Sequence, residues 1–243
     1  TVAWVAKGIV FDTGGLSLKV GGGMVGMKAD MGGAAAMLAA FEGAVKLGTK
    51  QRLHLVLCLA ENAIGPHSFR NDDVLRLFSG KTVEINNTDA EGRLVLGDGV
   101  AHASTPGLLP GLGVPDLIID MATLTGAQLV CTGKVHAAVM ANKEEVEARA
   151  VAAGKHSGDL TFPILYCPEL YMKEFESKVA DMKNSVKDRG NAQTSCAGTF
   201  IGEHLHRDYK GGWLHIDMAG PGWANDRGTG FGTALLLTLA GVA

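Results

Sequence analysis

Four carboxylates and three cations in this chain sit where chain elements end, and their types suit metal and anion chemistry. The carboxylates are Asp12, Asp30, Asp89 and Glu91; the cations are Lys7, Lys19 and Arg93. Asp12 closes the apolar run GIVF and precedes TGG, a tight turn that lets backbone approach a ligand closely. Asp30 opens DMGGAAAMLAAF, and Asp89 and Glu91 lie within NNTDAEGRLVLGDG, just ahead of an apolar run. Like charges converge only where cations or protons neutralise them. Two divalent ions would balance four carboxylates, and oxygen donors without a histidine-rich set suit Zn2+, Mn2+, Co2+ or Mg2+.

Each residue also has an ordinary reading. Thr88-Asp-Ala-Glu91 has the spacing of a capping box, and Asp89 in a first helical turn suits the positive end of the helix dipole. Asp30 fits a helix N-cap. Lys7 and Asp12, five residues apart, lie on opposite faces of a regular strand, so Lys7 reads as a surface ion-pair partner. Lys19 ends the alternating LSLK in solvent. Arg93 fits poorly, because a cation near a helix start is disfavoured unless a small anion sits beside it. Spacing alone leaves both readings open.

The elements that must position these groups follow from the apolar pattern. Short β-branched runs at 2–12, 53–60, 117–121, 136–140 and 213–218 read as strands. Stretches 32–48, 93–104, 144–156, 195–208 and 232–241 read as helices. The alternation predicts an α/β fold, with a mixed, mostly parallel central sheet and helices on both faces. Ligands collect beyond the carboxyl ends of such strands, which marks Asp12, Glu61 and Thr123. The loops at 14–29, 62–72 and 181–195 are long enough to be functional.

Composition narrows the function classes. The chain has 243 residues, 47% hydrophobic and 19% charged, which is globular rather than disordered. Its net charge of −3 and aromatic content of 6% give no basic or stacking surface for nucleic acid. The apolar runs are too short to span a bilayer, and no leader is visible, so a cytoplasmic setting is expected. The four cysteines are widely spaced and read as reduced structural thiols, Cys58 and Cys131 in apolar contexts. The histidines show no ligand spacing, and His204 and His206 fall in a predicted helix. The glycine string VGGGMVG lacks the GK[ST] ending of a phosphate-binding loop. The strand-like opening TVAWVAKGIVFD suggests a segment of something longer, with an N-terminal part missing.

The run NTDAEGRL at 87–94 resembles the hallmark of the leucyl aminopeptidase family, the two-metal cytosolic aminopeptidases. The resemblance extends through KGIVFDTGGLSLK, MKADMGGAAA, SGKTVEINNTDAEGRLVLGDG, MATLTGA, ADMKNS and GTGFGTALLL, and so covers nearly the whole chain. EINNTDAEGRLVL, YCPEL and SCAGTFI are most similar to the branch called aminopeptidase-like 1. The resemblance implies that residues 1–243 form a metallo-aminopeptidase catalytic domain acting on peptides with a free N-terminus. It implies Lys7, Asp12, Asp30, Asp89 and Glu91 as ligands of two divalent ions, Zn2+ first, with Asp12 and Glu91 bridging. Lys7 ligates only as a neutral amine. Arg93 would hold a bicarbonate-like anion acting as general base, and Lys19 would face the scissile carbonyl. Met27, Thr123 and Gly126 match positions near the side-chain pocket, with packing of the sheet edge and turn as the alternative. A homohexamer is expected on the same ground. Two departures, Ala6 for the usual glycine and Asn71 for a common proline, put substrate preference and loop rigidity in doubt. The rival expectation is a catalytically silent paralogue serving as a scaffold, against which the seven intact residues stand.

Overall fold

The structure is a computed structural model that describes residues 1–111 and 113–242. In chain order the first strands are β1 (Val2–Asp12), β2 (Leu53–Asn62), β3 (Val74–Arg76) and β4 (Thr82–Glu84). Then come β5 (Leu117–Ala122), β6 (Ala137–Ala141), β7 (Thr161–Pro163) and β8 (Met182–Lys183). The last are β9 (Gly212–Asp217), β10 (Trp223–Ala224) and β11 (Arg227–Gly228). The helices are α1 (Gly32–Lys46), α2 (Gly92–Ser104), α3 (Gly126–Cys131) and α4 (Glu144–Ser157). They continue with α5 (Pro168–Tyr171), α6 (Gln193–Gly202) and α7 (Thr233–Leu239).

Six strands form the central sheet in the order β2-β1-β5-β9-β6-β7. Every neighbouring pair is parallel except β6–β9, so the sheet is mixed and mostly parallel as expected. Alternation along each strand feeds two cores. Trp4, Ala6, Ile119, Met121, Leu214 and Ile216 meet the alanines of α1 and the leucines of α7 on one face. Ala3, Val5, Ile118 and Trp213 meet Leu96 and Val100 of α2 and Ile201 of α6 on the other. Helices thus cover both faces, which is why the strands read as continuous apolar runs. A third cluster, with Leu77, Val83, Ile85, Phe175 and Phe200, joins the small sheet β3-β4-β8 to α2 and α6.

Several boundaries differ from the sequence reading. The helix expected over 195–208 ends at Gly202, where Glu203 is the C-cap and His204 N bonds to Ile201 O, a tightened turn. His204, just past that end, is buried with its Nδ1 2.7 Å from Ser79 Oγ. β2 continues through Glu61 to Asn62, two residues beyond its apolar run. All four cysteines are free, but Cys131 is exposed, contrary to its apolar context. Among the described residues no helix is long and apolar enough to cross a membrane.

Candidate metal centre

β1 ends by carrying two charged side chains into the interior. Lys7 is 2% and Asp12 3% exposed. Regular alternation would place them on opposite faces, and that expectation fails for a specific reason. From Ile9↔Ala60 to Asp12↔Asn62, β1 advances three residues against two on β2. The extra residue is a bulge, and it brings both side chains to the same side. The turn after Asp12 uses Gly14 and Gly15 at φ 86 and 63, and Gly14 N donates to Asp12 Oδ1 at 2.9 Å.

The other carboxylates arrive from helix starts without capping them. Asp30 precedes α1, but the N-cap is Met31, and no side chain caps it. Thr123 Oγ1 donates to Asp30 Oδ1 at 3.0 Å. The capping box is also overturned. Glu91 itself is the N-cap of α2, and Thr88 Oγ1 instead donates to Gly14 O at 2.6 Å and accepts from Ser17 N at 2.8 Å. Long-range partners have taken both members of the local motif. Gly92 follows because a Cβ there would lie 2.9 Å from Lys7 Cδ and Cε and from Leu124 Cδ1.

Asp12, Asp89 and Glu91 each offer an oxygen within 4.8 Å of the others. Unit charges at that distance repel by about 3 kcal/mol per pair at an effective dielectric near 20. In the protein alone, two ammonium groups offset this. Lys7 Nζ lies 2.8 Å from Asp30 Oδ2 and 3.2 Å from Glu91 Oε1, and donates to Thr123 O at 3.1 Å. Lys19 Nζ lies 2.9 Å from Asp12 Oδ2 and 2.5 Å from Asp89 Oδ1. Neither lysine is a surface residue ending in solvent.

Burial pushes the Glu91 carboxyl up to about 7, with Lys7 pulling back. Burial likewise raises Asp30 and Asp89 against the same lysines. For Lys7, burial works to lower the pKa, but Glu91 and Asp30 overcome it and the net shift is upward. The cluster therefore holds more negative charge than its environment favours, and it draws in cations.

Asp30 Oδ2 and Asp89 Oδ1 are buried and accept no hydrogen bond of sound geometry; the ion pairs with Lys7 and Lys19 are their close contacts. Hard oxygen donors with spare lone pairs and one convergent amine fit a pair of divalent cations. Arg93 adds a separate signal. Its Nη1 is buried with no acceptor, its guanidinium lies 5.9 Å from the Phe175 ring centre, and burial lowers its pKa to about 10. An unpaired guanidinium at such a place fits a small oxyanion.

All ten residues singled out from the sequence line one cleft of about 420 Å³: Lys7, Asp12, Lys19, Met27, Asp30, Asp89, Glu91, Arg93, Thr123 and Gly126. Of the three long loops, 14–29 and 181–195 contribute to it, whereas 62–72 borders a separate hollow lined by Leu16, Ile64, His67 and Phe69. Asn71 ties that loop down, accepting from Ser17 Oγ at 3.3 Å and donating to Asn86 O at 3.5 Å.

Sequence reasoning missed three buried residues that hold the site together. Asn62 Nδ2 lies 2.9 Å from Asp12 Oδ1, 3.0 Å from Thr88 O and 3.4 Å from Glu91 Oε2. Glu61, marked as the strand end, is exposed instead. Asn184 accepts from Asn86 N and Asn87 N and donates to Asn87 O and Ala90 O, clamping the loop that carries Asp89. Asp217 accepts from Leu124 N and Thr125 Oγ1, at 3.1 and 2.7 Å, and so fixes the turn that presents Thr123. The signal for all three was a polar residue inside or at the end of an apolar strand or motif.

Comparison with known proteins places this geometry in context. The model of the cytosol aminopeptidase family, catalytic domain, matches residues 1–237. "Probable aminopeptidase NPEPL1" of Homo sapiens is 60% identical over 243 residues, covering 100% of this chain and 45% of that protein. The leucyl aminopeptidase of Trypanosoma brucei in complex with actinonin superposes with a TM-score of 0.94 at 52% identity, over 98% of this chain and 46% of that one. The bottromycin maturation enzyme BotP in complex with Mn gives 0.88 at 35% identity, over 98% and 53%. The chain spans about half the length of the relatives it matches.

Proposed function

The chain belongs to the cytosol aminopeptidase family, and on that premise we propose that it is a metal-dependent aminopeptidase that releases N-terminal residues from peptides at a dinuclear centre. The observation that carries this reading is the convergence of Asp12, Asp89 and Glu91, with Asp30 and Lys7 beside them, in one cleft. Lys7, Asp12, Asp30, Asp89 and Glu91 would hold the two ions, Zn2+ first, with Mn2+, Co2+ or Mg2+ as alternatives. When bound, such ions supply Lewis-acid polarisation of a carbonyl and a lowered pKa for water.

The chain's own residues do the rest. Lys7 must give up a proton to ligate, because its surroundings favour the ammonium in the protein alone. Lys19, released from Asp12 and Asp89, stays charged and faces the oxyanion that develops on the scissile carbonyl. Arg93, whose buried Nη1 has no acceptor, would hold a bicarbonate-like anion, and such an anion would supply a general base. Met27, Thr123 and Gly126 line the cleft where the substrate's first side chain would lie.

Metal analysis combined with a panel of aminoacyl amides, on the full-length protein, tests the reading. Two ions per chain and hydrolysis that requires a free amine are expected, and Glu91→Gln should lose both. Full activity in that variant would sink the assignment. Absence of both metal and hydrolysis would favour a scaffolding role.

A further inference from the structure

Lys7 and Lys19 are each held by two carboxylates, whereas two other cations of the cleft, the buried Arg93 and the exposed Arg189, are held by none among the described residues. Arg189 lines the cleft, is exposed, and forms no side-chain ion pair or hydrogen bond among the described residues. It belongs to the segment between β8 and α6, which also contributes Ser185 and Gln193 to the lining. α6 begins at Gln193 behind Ala192, whose side chain cannot cap, so its first N–H groups add partial positive charge to this wall. The carboxylates come from β1, the start of α1 and the start of α2. The cleft thus combines acids at the metal centre with an exposed, unpaired guanidinium on the wall built by residues 185–193.

A short peptide has the matching polarity. Its N-terminal amine goes to the acidic end by the aminopeptidase reading, and its C-terminal carboxylate then needs a cation. A cleft of about 420 Å³ lies in the size range of small-ligand sites, which suits a short peptide rather than a long one. We propose that Arg189 receives the terminal carboxylate of di- and tripeptides, so that the site prefers short peptides with a free carboxyl group over the same peptides amidated. This inference rests on the aminopeptidase reading.

The test compares Leu-Gly and Leu-Gly-Gly with their C-terminal amides, on the metal-loaded full-length protein. The scissile bond is identical within each pair, so only the distant charge differs. The free acids should show a kcat/KM about three- to fivefold higher, the scale of a solvent-exposed ion pair, and the ratio should shrink in high salt. Arg189→Gln should bring the ratio to about one, through KM, whereas Lys187→Gln, on a neighbouring residue outside the lining, should keep it. Equal rates for acid and amide in the native protein, or a preference that survives Arg189→Gln, would overturn the proposal. Failure to cleave any peptide would overturn the aminopeptidase reading instead. The carboxylate contact is then judged by calorimetric binding of the same pairs, where equal affinities reject it.

Discussion

Replacing Asn62 with alanine removes the one amide side chain that, among the described residues, touches Asp12 and Glu91 together. In the metal-free protein the variant loses donors to Asp12 Oδ1, to Thr88 O at 3.0 Å and, more weakly at 3.4 Å, to Glu91 Oε2, while Gly14 N still serves Asp12. A hydrogen bond to a charged group contributes about 1.5–3 kcal/mol and one to a neutral carbonyl about 1, so the loss amounts to roughly 3–4 kcal/mol. For a chain of this size that lowers Tm by about 6–16 °C. Metal binding should suffer separately. An outer partner that orients ligand carboxylates typically accounts for about 10–100-fold in affinity. Calorimetric titration against a competing chelator measures that loss, and thermal unfolding of the metal-free protein measures the first effect. A variant that is destabilised yet binds metal within about twofold of the native protein would refute the reasoning, because Asn62 would then be a packing residue.

Three further outcomes follow from the same geometry. Glu91 ionises near 7 when folded but near 4.5 in an unfolded chain, so the folded state holds the extra proton between those values. Metal-free stability should therefore fall as pH rises from 4.5 through 7, by on the order of 3 kcal/mol, and Glu91→Gln should flatten that part of the denaturation profile. His204 behaves oppositely: burial, with Lys81 adding, depresses it to about 3, so its contribution is lost as pH falls through 6.5 toward 3. His204→Gln should make urea midpoints less sensitive to acid in that window. Gly92→Ala places a methyl 2.9 Å from the Lys7 stem and Leu124; it should destabilise by about 1–3 kcal/mol and weaken metal binding, read by the same calorimetry.

The α/β architecture was legible because the strands buried on both faces stand out as apolar runs between helical stretches. The ten cleft residues were legible from motif and order, since no spacing rule joins Lys7 to Glu91. Local patterns misled where distant partners outcompeted them: Thr88 looks like a cap, but its hydroxyl serves Gly14 and Ser17, some 70 residues away. Asn62 was hidden because β2 continues past its last apolar residue, held by pairing with β1 rather than by hydrophobicity. β3, β4 and β8, of two or three residues each, are too short to display a period. The bulge in β1 leaves no compositional trace, and so Lys7 and Asp12 were assigned to opposite faces.

That bulge makes the spacing between Lys7 and Asp12 a matter of parity. Five residues is an odd count, and the inserted residue converts it to an even one. Deleting any single residue from Gly8 to Phe11 gives a strand that satisfies either its ladder with β2 or the shared orientation of its two charged ends only by rebuilding the turn that follows. Substitution is a different matter, since Val10 is half exposed and Phe11 is not fully enclosed. Length in this stretch is therefore constrained far more tightly than identity, whereas the turn at 47–52 between α1 and β2, which lies on the surface, has no such parity to keep.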